Sequence, residues 1–409
     1  MCRHSSLTRL LNIMNEITSG ISQLDAERNR SLLNRDFLLI TVSSFLYFFN
    51  FHTFILLPIR IQDLGGGASV IGFVMGITWI STIISTPAVG LFVDKWGKKW
   101  FIATGGLIMS LTTLFFAYVN QLDFLFPLLR VIQGASFSFF FISAGTLTAE
   151  VTPVAKRAQA IGIFGVFTII NYALAPYIGR LILDHYDFKV LFLSVSGFGF
   201  LSFVIAILLK EHERTKEIKS KGGSYLTILL RKNVLISAIT IMIAGSGFIS
   251  TVTFLPVFAS GVKIESFEYF FISYTIAVIF MRLFGGWIPD QYGRRKTLIP
   301  SLLFFSISIF WLGLASNETS LIETGVLFGL SHGLLYPTFY ALVIDITPFN
   351  DRGKAFSICS VAFTVGGMLG SFVYGWIAEY YGFRNMFEII AFACLFGFGL
   401  FLVLGRESS

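Results

Sequence analysis

Charge is scarce in this chain. Only 13% of its 409 residues are Asp, Glu, Lys or Arg, about half the share of an ordinary soluble domain, so a water-facing surface of the usual kind cannot be built. Cysteine is nearly missing. Cys2, Cys359 and Cys394 are too few and too scattered for a disulfide framework or a zinc site. No P-loop occurs: Gly65-Gly66-Gly67 lacks a following Lys-Ser/Thr, so transport or catalysis powered by the chain's own nucleotide hydrolysis is excluded. The His-x-x-x-His and His-Glu-x-x-His spacings of a metal-dependent membrane enzyme are also missing, and no cofactor is called for. What remains is apolar: 55% hydrophobic residues, 47 Phe and 38 Gly, with a mean hydropathy of +0.77. Soluble enzymes, disordered hubs and nucleic-acid binders do not look like this. A lipid bilayer is the expected solvent.

A helix crosses the hydrocarbon core with about 20 apolar residues. Twelve such runs are found, at 37–59, 69–93, 100–119, 123–149, 158–183, 188–209, 233–258, 266–289, 296–315, 321–344, 354–379 and 385–405. They lack the alternation of a membrane β-barrel. The fold class is therefore all-α, a polytopic membrane protein. If the N-terminus is cytoplasmic, 23 of the 30 Lys and Arg fall on cytoplasmic segments and five on the other side, as the positive-inside rule requires. The net charge of +7 is then a topology signal, and no polyanion partner is needed. Both termini are expected in the cytoplasm; for a bacterial chain the membrane is the inner one. Residues 1–36 form an N-terminal tail without a cleavable signal-peptide pattern. In it Leu7, Leu10, Leu11, Met14 and Ile17 can make one apolar helix face on the membrane, or the segment is a plain tail. A polar linker, 210–232, separates a six-helix bundle at 37–209 from another at 233–405, and 406–409 form a short cytoplasmic tail.

The two bundles are copies. Gly90–Lys99 (GLFVDKWGKK) matches Gly286–Arg295 (GWIPDQYGRR) at an offset of 196. Asp94 aligns with Asp290, Gly97 with Gly293, and Lys98-Lys99 with Arg294-Arg295. Glu150-Val151-Thr152-Pro153 matches Asp345-Ile346-Thr347-Pro348 at an offset of 195, and Gly179 matches Gly375. Six spans separate equivalent points, so the repeats are parallel. Two such halves facing a site near the membrane midplane is a transporter architecture.

Gly-x-x-x-Asp-x-x-Gly followed by two basic residues, present between spans two and three and again between eight and nine, resembles the signature loop of the major facilitator superfamily. The resemblance covers about residues 35–405. Arg130-Val131-Ile132-Gln133-Gly134 resembles the family's Arg-x-x-Gln-Gly motif, which implies proton coupling. Ala175-Pro176-Tyr177-Ile178-Gly179 resembles a motif of proton-coupled exporters, in degenerate form. Asn171, Ala175 and Arg180 stand where the family has glycines, which weakens the inference of exchange. Ser331-His332-Gly333-Leu334-Leu335-Tyr336-Pro337 is similar to a segment of twelve-span efflux members. Pro176 and Gly179 are read as helix-packing residues.

The repeated loop has a physical reading. A carboxylate where a span leaves the membrane can accept from a neighbouring helix N-terminus, and Gly97 and Gly293 permit the turn that folds the basic residues back. Gly90, Asp94, Gly97, Lys98, Lys99, Gly286, Asp290, Gly293, Arg294 and Arg295 thus form a gating set that biases the conformational equilibrium. Arg282, eight residues before Asp290 on the same span, reads as a gating partner on the same face. Arg130 inside span four must face the bundle interior or water. With Gln133 one turn away it can bind an anionic group, or it reaches up to the headgroups. His52 and His332 are the histidines within spans; each is a proton carrier or a packing residue. Asn171 is a polar contact or a cavity residue, and Tyr336 with Tyr340 lines a cavity or packs. No acid lies at mid-depth, so the proton carriers left are Glu150, Asp345, Glu323 or a histidine.

These features imply a secondary transporter working by alternating access, exporting a small amphipathic solute against protons. The alternative is a proton-coupled importer of a small organic anion or sugar, with Arg130 as anion ligand. A lipid enzyme is a remote third. The expected partners are a small-molecule substrate, protons and the bilayer, with no nucleic acid and a monomeric state.

Overall fold

The computed structural model describes residues 33–153, 156–210 and 223–405, with the backbone alone at Asp94. The apolar face expected at Leu7–Ile17, most of the 1–36 tail, the central part of the linker and the 406–409 tail lie outside the described residues. Among these residues the chain is helical throughout, without strands. The helices are α1 (Arg35–Thr53), α2 (Leu57–Asp63), α3 (Ala68–Trp96), α4 (Lys98–Phe116), α5 (Leu125–Glu150), α6 (Arg157–Ile169), α7 (Asn171–Leu183) and α8 (Phe188–Ile207). They continue with α9 (Tyr225–Leu229), α10 (Lys232–Gly261), α11 (Glu268–Phe284), α12 (Ile288–Tyr292), α13 (Arg294–Gly313), α14 (Glu318–Asp345), α15 (Arg352–Tyr381) and α16 (Phe383–Leu404).

Among the described residues eleven helical segments are long and apolar enough to cross a membrane. The run expected to be a twelfth, 266–289, is broken. Helix α11 ends at Phe284, and α12 starts at Ile288 with a proline in its first turn. Two consecutive glycines weaken the helix there and Pro289 withholds an N–H, so the ladder stops. The 27 residues Arg157–Leu183 make one crossing, with Ile170, itself in the αR region, between α6 and α7. The linker stretch holds the short helix α9, capped by Ser224.

The outer surface is apolar. Leu91 and Val403 are 75% exposed and Phe396 67%, values ruinous in water and natural against lipid. Exposed Trp96, Trp100, Tyr225, Trp287 and Tyr292 lie near the end that carries the repeated loops, and Tyr118, Tyr186, Tyr380 and Tyr381 near the opposite end. That is the aromatic belt of a membrane protein.

Inside, small polar groups join the helices. Ser43 and Ser202 exchange hydrogen bonds between α1 and α8, Asn50 Nδ2 donates to the Val195 carbonyl at 3.0 Å, and Thr113 donates to Asn50 Oδ1 at 2.7 Å. Without water to compete, such bonds link spans that hydrophobicity alone cannot hold together in lipid. In the second group Gly366 and Gly370 let α15 lie directly on α10, at Met242 and Ser246. Asp351 fastens the linker to this group. Its carboxylate accepts from the Gly223 N–H at 2.8 Å and from Arg231 at 2.7 Å, while Lys354 donates to the Gly223 carbonyl.

Candidate functional site

Both copies of the repeated loop have one backbone solution. Gly97 (φ 87°, ψ 142°) and Gly293 (φ 96°, ψ 150°) each close one helix and open the next, in a region that side chains with a Cβ rarely enter. The basic residue after each glycine is delivered to a carboxylate two spans on. Lys98 Nζ lies 2.9 Å from Glu150, and Arg294 Nε 3.2 Å from Asp345. Glu150 and Asp345, expected among the proton carriers, are therefore ion-pair partners of the loop cations in this conformation. Arg294 also binds Asp290, and Arg295 donates to the carbonyls of Leu402 and Gly405. Arg282 and Asp290, expected on one face of one span, lie on separate helices, α11 and α12. The break at Gly285–Trp287 falls between them, so eight residues of spacing no longer put both on one helix face.

The two groups of helices, α1–α8 and α10–α16, meet at the end opposite these loops. Glu379, in the last turn of α15, accepts from the Ser69 N–H at 3.1 Å and lies against Gly67, the N-cap of α3. A carboxylate on a helix N-terminus is well placed against the helix dipole. Below it α3 and α15 touch backbone to backbone: a Cβ on Gly375 would stand 2.8 Å from the Ala68 carbonyl oxygen, and one on Gly72 would collide with that of Ser371. Helices α7 and α11 meet along the same side. At the loop end, by contrast, each hydrogen bond named above among the described residues stays within one group.

At mid-depth the seam is aromatic. His52 of α1 faces Tyr172 of α7, ring centroids 4.0 Å apart. Tyr172 meets Phe248 of α10 at 6.0 Å and Tyr274 of α11 at 5.8 Å. Phe248 stacks on His332 of α14 at 4.3 Å, and His332 Nδ1 is 3.2 Å from the Tyr274 hydroxyl. Tyr336 continues the line, 5.1 Å from Phe363 and hydrogen-bonded to Tyr340 at 2.9 Å. The structure thus brings His52, His332 and Tyr336 into one cluster, and it adds Tyr172, Tyr274 and Phe248, which the sequence pattern did not single out. Tyr172 follows Asn171 directly, and that polar–aromatic pair inside an apolar run was the available signal.

Other expected residues lie elsewhere. Arg130 is 3% exposed. Its Nη1 donates to Gln133 at 2.8 Å, its Nη2 points at Met75, and its guanidinium stands over Phe54 at 5.3 Å. It is enclosed among spans one, two and four, so in this conformation nothing from outside touches it. Asn171 donates to the carbonyls of Phe45 and Phe167, joining span five to span one. A Cβ on Gly179 would strike Leu56, and Pro176 is buried inside α7, which is close packing. Glu268, absent from the residues expected on sequence grounds, is 7% exposed at the start of α11, and its Oε2 has no hydrogen-bond partner. The described residues include no cluster able to hold a metal ion.

Comparison with known proteins agrees with this architecture. Residues 38–288 and 261–409 match the family described as the Major Facilitator Superfamily. The chain is 27% identical over 370 residues to the multi-drug resistance efflux pump PmrA of Streptococcus pneumoniae, covering 83% of this chain and 89% of the pump. It is 26% identical over 359 residues to the multidrug resistance protein MdtG of Escherichia fergusonii, with coverage of 83% and 86%. The crystal structure of the nucleoside transporter NupG superposes with a TM-score of 0.76 at 16% identity, over 92% of this chain and all of that one. A bacterial homologue of the lysosomal transporter Spinster, solved inward-facing and occupied, gives 0.70 at 12% identity, over 91% of this chain and 96% of that one. The enzyme reading falls with these matches, because the family consists of transporters. The chain is a multi-pass integral membrane protein and belongs to the Major Facilitator Superfamily of secondary transporters.

Proposed function

We propose that this transporter exports a small amphipathic solute against protons by alternating access between two six-helix halves, 37–209 and 233–405. The observation that carries the reading is the seam. It is closed by Glu379 and the Gly72–Gly375 crossing at one end, and at mid-depth it is lined by His52, Tyr172, Phe248, Tyr274 and His332 from both groups. Aromatic walls with a few polar atoms suit an amphipathic guest. In this reading the repeated loops face the cytoplasm with both termini, the structure is the inward-facing state, and Asp94, Asp290 and their basic neighbours clamp the halves in the other state. His52, His332 and the buried Glu268 are the groups for proton exchange. The efflux pumps among the relatives support export.

The test is flux in proteoliposomes loaded with a fluorescent amphipath. An inward-directed proton gradient should drive the solute out. Movement in the direction of the protons would make the protein a symporter, and flux indifferent to the gradient would remove proton coupling.

A further inference from the structure

Arg282 is a half-buried cation to which the proposed export cycle gives no part. It extends from α11 across the seam: its Nη1 stands 3.3 Å from where a Cβ on Gly165 of α6 would be. Its Nε is buried without a hydrogen-bond partner, and so is His332 Nε2. Tyr274, Tyr336 and His332 are its electrostatic neighbours. Among the described residues no carboxylate forms an ion pair with it. Arg130, the fully buried arginine of span four, has Gln133 and the Phe54 ring. A guanidinium held in apolar surroundings is costly unless something balances it. Among the described residues no fixed acid supplies that balance. The adjoining face of α6 is open at Gly162, where an added Cβ would meet no atom within 4 Å.

We infer that Arg282 is the anion-binding pole of the substrate site, with Tyr336 and the Phe248 ring as its apolar wall, and that the solute carried is an aromatic anion such as a carboxylate. A lipophilic cation would meet like charge with no acid to offset it. An aromatic carboxylate would gain a two-pronged, charge-assisted contact with the guanidinium and ring contacts beyond it. This assignment rests on the transport reading and narrows it to one class of solute.

Three probes with one ring system separate the charge from the apolar body: 1-naphthoate, 1-naphthylmethanol and 1-naphthylmethylammonium. Their binding to the full chain in lipid nanodiscs is measured by calorimetry. Naphthoate should bind at least about tenfold more tightly than the ammonium, the scale of one charge-assisted contact. Arg282→Gln should bring naphthoate down to the alcohol, and Arg282→Lys should retain part of the preference. Where Arg282→Gln fails to fold, Gly165→Leu, which fills the space against the guanidinium, should weaken naphthoate by a similar factor. Equal or tighter binding of the ammonium, no binding of naphthoate, or naphthoate affinity unchanged in these variants would overturn the assignment. Flux is measured separately. Arg282-dependent binding without movement across the bilayer refutes transport of this solute and leaves the site standing, whereas flux without charge preference refutes the site and leaves transport standing.

Discussion

The Glu379 contact offers a direct handle on the conformational equilibrium. Its carboxylate sits on the first turn of α3 and accepts the Ser69 N–H at 3.1 Å, holding the two groups of helices together at one end. Glu379→Gln keeps an acceptor but removes the charge. For an exposed carboxylate at a helix N-terminus that is about 0.3–1 kcal/mol, a shift of about two- to fivefold toward the state open at that end. Glu379→Ala also removes the hydrogen bond, as in loss of a helix cap, for about 1–2 kcal/mol and about five- to thirtyfold. Nitroxides at the exposed positions Gln121 and Arg384, with Cys2, Cys359 and Cys394 replaced, report the separation of that end by pulsed electron resonance. The long-distance population should grow from wild type to Gln to Ala, with high salt shrinking the wild-type-to-Gln step. An identical distribution in all three proteins would refute the claim that this contact holds the end shut.

The repeated ion pairs are equivalent in sequence but unequal in burial. Lys98 and Glu150 have side chains 8% and 29% exposed, against 25% and 48% for Arg294 and Asp345. Glu150→Gln should therefore lower stability by about 1.5–3 kcal/mol and Asp345→Asn by less than about 1 kcal/mol, read as unfolding midpoints in detergent; the reverse order would show that burial does not set their worth. Asp94→Asn should reduce flux more than it reduces folded protein in the membrane, and equal losses would leave Asp94 a helix-end residue with no gating part.

Much of the architecture is written in local pattern. Apolar runs of membrane length, the two basic loops and their common offset are visible without coordinates, and the left-handed glycines at 97 and 293 follow from the turn they must make. Contacts between distant spans are not visible this way. Nothing near Glu379 announces Ser69, because their meeting depends on how α15 crosses α3, and the approach is set by glycines about 300 residues apart in sequence, Gly72 and Gly375. The break in the eighth span was readable in Gly285-Gly286 and Pro289, yet hydropathy averages over it, and the misplaced pairing of Arg282 with Asp290 came from treating that stretch as one helix. His52 and His332 stand out as polar residues in apolar runs. Their joining through Tyr172, Phe248 and Tyr274 requires several helices to converge, which no single helix encodes.

The arginine at the seam, Arg282, has an electrical consequence. A cation held between the halves shares the potential of whichever compartment its cavity opens to, so when the mouth switches sides, the voltage drop is swept across a charge that scarcely moves. Among the described residues Arg282 has no ion-paired acid to cancel this. Reorientation of the solute-free carrier would then feel the membrane potential by up to about 2.3 kcal/mol per charge for each 100 mV, and binding of a monoanion would take away about one charge's worth. Turnover should be paced by voltage on the solute-free leg of the cycle and much less on the solute-loaded one.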